Sequence, residues 1–162
     1  MDLVRQVISF LDGNHWTYQK ENGWPEGIHV FELSFRVEGI SVKMKVKIDE
    51  ERKACVITGF FPVLVDPVYS YPLCQLIAKE NRSKLFGALE YDERNGELTY
   101  EYTYPASRGI DYEEFEKMFY IVLKMVSDEY KVLRGCCQGR FTKQEVSEIA
   151  KKIQGLVNDI VR

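Results

Sequence analysis

The sequence has 162 residues, of which 45% are hydrophobic and 13% aromatic, so it can bury about two-thirds of its unfolded surface around one core. Its net charge of −3 argues against a general polyanion binder, because phosphate binding requires an excess of lysine and arginine on one face. We therefore expect a single domain over residues 1–162 and no nucleic-acid partner.

The sequence also predicts where in the cell the protein is located. No segment approaches the roughly 18 consecutive apolar residues that a bilayer-spanning helix requires, so we expect no membrane partner. The first residues, Met1 to Gln6, lack the cationic region and apolar core of a secretion signal. The cysteines, which show no disulfide-framework spacing, are Cys55, Cys74, Cys136 and Cys137. We therefore expect a reduced, cytoplasmic protein.

The chain is predicted to begin with an amphipathic helix. Apolar residues recur at helical spacing from Leu3 to Leu11, with Asp2 placed to cap the helix and Gly13 to end it. A short strand is predicted between His15 and Asn22, ahead of a turn over residues 23–27.

From Ile28 to Ile48 the apolar period changes to two, which predicts a hairpin turning at Glu38-Gly39. This register gives the hairpin one apolar face and one charged face, as expected for a sheet covered on one side. The predicted pairs are Phe35 with Val42, Leu33 with Met44, Phe31 with Val46 and Glu32 with Lys45.

A third strand of the meander is predicted from Lys53 to Phe61. Because proline lacks the amide donor that a ladder needs, we expect Pro62 and Pro67 to exclude further pairing. A helix is then predicted from about Pro72 to Ser83, since proline is tolerated in a first helical turn.

A second hairpin is predicted from Leu85 to Tyr104. A two-residue loop at Asn95-Gly96 would place Glu90 opposite Glu101, which is unfavourable, whereas a four-residue loop pairs Glu90 with Thr99. We prefer the longer loop. In either register one face carries Leu89, Tyr91, Leu98, Tyr100, Tyr102 and Tyr104.

Capping boxes at Asp111 and Thr142 predict two final helices, one reaching Leu133 and one over residues 143–161. The elements together predict an α+β fold with an antiparallel sheet of five or six strands. We expect the order helix, three-strand meander, helix, hairpin, helix. The helices should lie mainly on one face, with residues 143–161 as a C-terminal helical extension.

This order of elements, over roughly Met1 to Leu133, resembles the YbjN-type domain of sensory-transduction regulators, whose fold is shared with type III secretion chaperones. The resemblance is carried by Ile57 to Val65, Leu76 to Arg82, Leu85 to Asp92 and Asn95 to Leu98. It implies a chaperone-like or regulatory interaction module, commonly dimeric, and supplies no catalytic residues.

Residues that could perform catalysis or bind a metal are sparse. His15 and His29 lie on or beside predicted strands with no nucleophile motif nearby, which favours ordinary sheet positions. Cys136-Cys137 could offer soft ligands from an accessible loop, yet no second cysteine pair at zinc-site spacing accompanies them, so simple packing is favoured. We expect no catalytic residue, metal or cofactor.

Two rows of side chains are candidate binding surfaces. Lys43, Lys45 and Lys47, with Arg36, could contact an anion or RNA, but a solvated sheet face is the favoured interpretation. The tyrosine stripe of the second hairpin could bind peptide, although packing beneath the helix that ends at Leu133 is favoured.

The strongest candidates for a partner surface lie in the proline-punctuated connection after the third meander strand. They are Val63, Leu64, Val65, Val68, Tyr69 and Tyr71. A loop strapped across the sheet edge explains them equally well. We expect a non-enzymatic module that binds a protein or peptide, with homodimerisation as a possibility; the alternative is a sensory domain that holds a small ligand between sheet and helices.

Overall fold

The computed structural model describes residues 2–139 and residue 151. Within them the fold is α+β, with three α-helices and a six-stranded antiparallel sheet ordered β1-β2-β3-β4-β6-β5. This confirms the predicted fold and element order. The elements are α1 (Leu3–Gly13), β1 (Tyr18–Glu21), β2 (Ile28–Val37), β3 (Ile40–Asp49), β4 (Ala54–Leu64), α2 (Ser70–Asn81), β5 (Ala88–Asp92), β6 (Glu97–Pro105) and α3 (Tyr112–Cys137).

The predicted helix over residues 143–161 lies, except for residue 151, outside the described residues. A single domain over residues 1–162 stays a prediction.

Both hairpins have the predicted registers. In the first, Phe35 pairs with Val42, and the turn residues Glu38 and Gly39 have φ angles of 49° and 82°, as a tight two-residue hairpin turn requires. In the second, Glu90 lies opposite Thr99, so the four-residue loop is confirmed.

Three element boundaries differ from expectation. β4 continues through Pro62 to Leu64, because a bulge places four steps of β4 against two steps of β6 between the pairs Phe60–Thr99 and Leu64–Glu97. A bulged residue needs no ladder donor, so proline is tolerated there. α2 begins at Ser70, after a 3₁₀ turn over Pro67–Tyr69. α3 continues to Cys137, where a loop was predicted.

One face of the sheet is covered by α1 and α3. The inward rows of the strands are buried, with Phe31 and Val46 at 1% and 0% exposure, in one cluster with apolar residues of all three helices. α3 packs tightly against β4 at Gly59, where an added Cβ would lie 2.7 Å from Val126 Cγ2 and 3.1 Å from Val122 Cγ1. Glycine at this position therefore sets the distance between α3 and the sheet.

The other face of the sheet, which we call the open face, carries the outward rows of the strands. Lys45 lies at its centre, with Nζ 2.6 Å from Glu21 Oε1 and 3.6 Å from Glu32 Oε2. Beneath these long side chains Val30 is 1% exposed and Thr58 is buried. The open face is thus a polar surface held by ion pairs, and it is the face that α1 and α3 leave uncovered.

Helix α2 lies along the β5 edge, where two contacts hold it. The Asn81 amide donates to the carbonyl of Leu89 and accepts from its amide, both at 2.8 Å, so it satisfies backbone groups of an edge strand. In the segment after α2, Lys84 forms a buried ion pair with Glu129 of α3. These contacts fix the helix that forms one wall of the groove described below.

Replacing Gly59 with alanine is expected to lower the free energy of unfolding by about 1–3 kcal/mol, because the new methyl overlaps two buried valines of α3. Urea denaturation of the full chain measures this change. Gly13→Ala is the matched control, since nothing lies within 4 Å of an added Cβ there. Equal stability of the two variants would contradict the packing described for α3.

Candidate binding groove

Two adjoining cavities lie on the open face, the larger between the sheet and α2 and the smaller beside the end of β4. Their volumes are about 800 Å³ and about 370 Å³, and both are lined by Phe60 and Glu97. Ser70, Tyr71 and Cys74 of α2 form one wall of the larger cavity. We call the combined depression the Phe60 groove.

Phe60 reaches this groove because of its position in β4. Cys55, Ile57 and Gly59 face the core, and the alternation of side chains sends Phe60 to the opposite face. It lies half-buried between Lys43 of β3 and Thr99 of β6, which are its neighbours in register. Lys43 Nζ lies 4.1 Å from the ring centroid, within cation–π range. An aromatic ring therefore forms an apolar floor on an otherwise polar face.

Carboxylates dominate the lining of the larger cavity, and their partners differ. Asp92 is neutralised by Arg94, whose hydrogen bonds lower the pKa of Asp92 to about 2. Glu97 lies 3.8 Å from Lys43 Nζ. The cavity is also lined by Glu90, Glu93 and Glu101, and within residues 2–139 none of these three forms an ion pair.

The pKa of Glu90 is raised above its ordinary value. Partial burial in the groove raises its pKa, the charge of Glu101 raises it further, and Lys47 opposes the change. Glu101 itself accepts a hydrogen bond from Thr58 Oγ1 at 2.9 Å. The end of the groove around Glu90 and Glu93 is therefore a region of negative potential.

The predicted basic row does lie on the open face, and two of its members, Lys43 and Lys45, meet carboxylates. Lys45 is bound by Glu21 and Glu32, and Lys43 faces Glu97. Hydrogen bonding to Lys45 lowers the pKa of Glu21, in keeping with a formed ion pair. These ion pairs thus link strands of the sheet to one another.

The six predicted partner residues occupy three kinds of position. Leu64, Val68 and Tyr71 are 65%, 77% and 73% exposed, whereas Val65 is 4% exposed and the other two, Val63 and Tyr69, are half-buried. The structure brings Leu64 and Tyr71 to the Phe60 groove, together with Val63. Val68, Val65 and Tyr69 do not line it.

The connection after β4 also holds β4 to the second hairpin and to the end of α3. The Val65 amide donates to the carbonyl of Gly96 at 2.9 Å, and the Asp66 amide donates to the carbonyl of Cys137 at 3.1 Å. The ring of Tyr69 lies so close to Gly139 that an added Cβ there would overlap it. The strap interpretation therefore applies to Val65 and Tyr69, and partner binding by the six residues stays a prediction.

Of the remaining candidates, Tyr91 lines the larger cavity and the others lie away from the groove. The tyrosine stripe packs beneath α3 as expected, with Tyr100 and Tyr104 buried in the core. Cys136 and Cys137 are buried, in keeping with the favoured packing interpretation, but they lie in the last turn of α3, so the predicted loop was wrong. His29 pairs with Glu50 at 3.1 Å, and neither histidine lines the groove.

Sequence reasoning missed Phe60, Glu90 and Cys74 as groove residues. A signal for Phe60 was present, because two adjacent phenylalanines on a strand cannot both face the core. Glu90 and Cys74 gave no such signal, since the groove exists only where α2 meets the sheet edge.

A family model matches residues 4–134, and the chain belongs to this family, YbjN, described as "Putative bacterial sensory transduction regulator". Among solved structures, a chain of the ExsC–ExsE complex is similar, with a TM-score of 0.62 and 19% identity over 83% of this chain and 98% of that one. YbjN from E. coli has a TM-score of 0.51 and 16% identity, over 76% of this chain and 87% of its own. These likenesses show the fold. No curated protein matches the chain.

Two further observations concern the part of the chain that the structure describes. None of its helices is long and apolar enough to cross a membrane. No three of its histidine, cysteine, aspartate or glutamate side chains are grouped so that they could hold a metal ion.

A thiol-specific reagent such as N-ethylmaleimide is expected to modify the folded protein once, at Cys74 in the groove wall. The other three cysteines are buried, and burial raises the pKa of Cys55 and of Cys137 to about 12, so little thiolate forms near neutral pH. Intact-mass and peptide mass spectrometry measure the modification. Rapid labelling of Cys136 or Cys137 would contradict the packing at the end of α3, and labelling in urea provides the control for all four sites.

Proposed function

We propose that the protein is a non-enzymatic module that binds a protein or peptide partner, in a chaperone-like or regulatory role. The observation that carries the proposal is the Phe60 groove: an aromatic floor and exposed apolar side chains on a face that the described helices leave uncovered. A similar chain is known in a protein–protein complex, ExsC–ExsE, and that likeness supports the same use of the fold.

The partner contacts proposed for this module are the exposed residues Leu64, Val68 and Tyr71, with the adjacent part of α2. Exposed apolar side chains beside a groove are typical of a surface that loses water when a partner docks. Val65 contributes indirectly, because its burial and its hydrogen bond to Gly96 hold Leu64 in place. Its side chain does not need to touch a partner.

The proposal includes a cytoplasmic location and assembly as a homodimer. The cysteines are all free, which suits a reducing compartment. The resemblance to type III secretion chaperones supports the homodimer, and it also supports the absence of catalysis.

The alternative, a small-ligand sensor, requires an enclosed pocket between sheet and helices. In the described residues that interface is filled by large buried side chains, among them Tyr100, Phe115 and Phe119. The two cavities lie on the opposite face, and α2 forms a wall of the larger one. The position of the cavities therefore favours a macromolecular partner over an enclosed metabolite.

Purification of the tagged full chain from its source, followed by native mass spectrometry, is expected to yield one co-purifying protein in stoichiometric amount. The double variant Leu64→Ser with Tyr71→Ser should reduce recovery of that partner about tenfold, because it removes exposed apolar contact area. Leu85→Ser with Tyr112→Ser removes the same residue types from exposed positions elsewhere and should retain the partner.

A wild-type chain that is monomeric by light scattering and recovers no stoichiometric protein would contradict the proposed function. Equal loss of the partner in both double variants would contradict the proposed contact residues.

A further inference from the structure

The Phe60 groove has two chemically different ends. At one end Lys43 lies over the Phe60 ring and faces Glu97, so its charge is offset. At the other end Glu90 and Glu93 line the cavity and form no ion pair within residues 2–139. The only cation that lines this larger cavity in the described chain is Arg94, which is held by two side-chain hydrogen bonds to Asp92.

An occupant of this groove must therefore satisfy two requirements. It needs an apolar group to cover Phe60, since an aromatic surface gains most when water leaves it. It also needs positive charge at the Glu90 end, because an occupant that covers carboxylates without pairing them loses their hydration.

We infer that the groove receives a lysine- or arginine-bearing segment of a partner protein, with an apolar side chain on Phe60 and basic side chains beside Glu90 and Glu93. The inference rests on the proposed function and names the chemistry of its partner. Cys74 in the wall of the groove is the exposed cysteine of the chain, so it reports whether the groove is filled.

The probes are two short fluorescent peptides with the same leucines, one rich in arginine and one with glutamate in place of each arginine. Fluorescence anisotropy with the full chain should show binding of the arginine peptide that weakens with salt, and at least tenfold weaker binding of the glutamate peptide.

Two groove variants test the site. Glu90→Lys with Glu93→Lys should weaken binding of the arginine peptide about tenfold, since two attractive charges become repulsive. Phe60→Thr should weaken it by a similar factor, because it removes the aromatic floor and keeps a residue that suits a strand. Glu26→Lys with Glu51→Lys changes the net charge equally in exposed turns and should bind like the wild type. Circular dichroism checks that each variant folds.

Occupancy is measured by the rate of Cys74 alkylation. At the peptide concentration that slows this rate fivefold in the wild type, the rate should fall less than twofold in the Glu90→Lys, Glu93→Lys variant, because its binding is about tenfold weaker. Unhindered alkylation at saturating peptide would overturn the assignment of the site. Equal affinity for both peptides, or no binding at low salt, would overturn the inferred chemistry.

Other occupants give distinct results. Alkylation slowed by protein concentration alone, together with a dimer by light scattering, would identify a second copy and overturn the inference. Preferential binding of a single-stranded RNA oligonucleotide would do the same. The last outcome is a partner recovered from the source that both groove variants retain in full. That result would contradict this inference and leave the proposed function intact.

Discussion

The approach of α3 to the sheet at Gly59 is the constraint on which the architecture depends. An added Cβ at this position would overlap Val126, so the helix lies closer to β4 than a larger residue would allow. The same short stretch of β4 then supplies Phe60 to the open face, Phe61 to the core and Pro62 to the bulge. This segment of β4 thus packs against α3 on one face of the sheet and forms the floor of the groove on the other.

The open face shows how charged side chains can cover a sheet face that has no helical layer. Lys43 and Lys45 of β3 pair with carboxylates of other strands, and Val30 and Thr58 on the same face are buried. This ion-paired surface stops at Phe60, where α2 and the second hairpin form walls and the carboxylates outnumber the cations. The contrast between the paired centre and the unpaired acidic end distinguishes the groove from the rest of the face.

Local patterns were sufficient to predict most of the sheet. Alternation gave the first hairpin its register, and the unfavourable approach of Glu90 and Glu101 selected the longer loop of the second. The path around Pro62 could not be predicted, because a bulge depends on which partner strand lies alongside. The groove was missed for a similar reason: residues of α2 meet Phe60 only after Asn81 ties the helix to the β5 edge.

The central claim is that the open face, and not the helix-covered face, meets the partner. Hydrogen exchange of the full chain, measured alone and with the co-purified partner, tests this claim most directly. Slower exchange in residues 60–74 and 88–101, with α1 and the outer surface of α3 unchanged, is the predicted result. Protection confined to α1 and α3 would contradict the account.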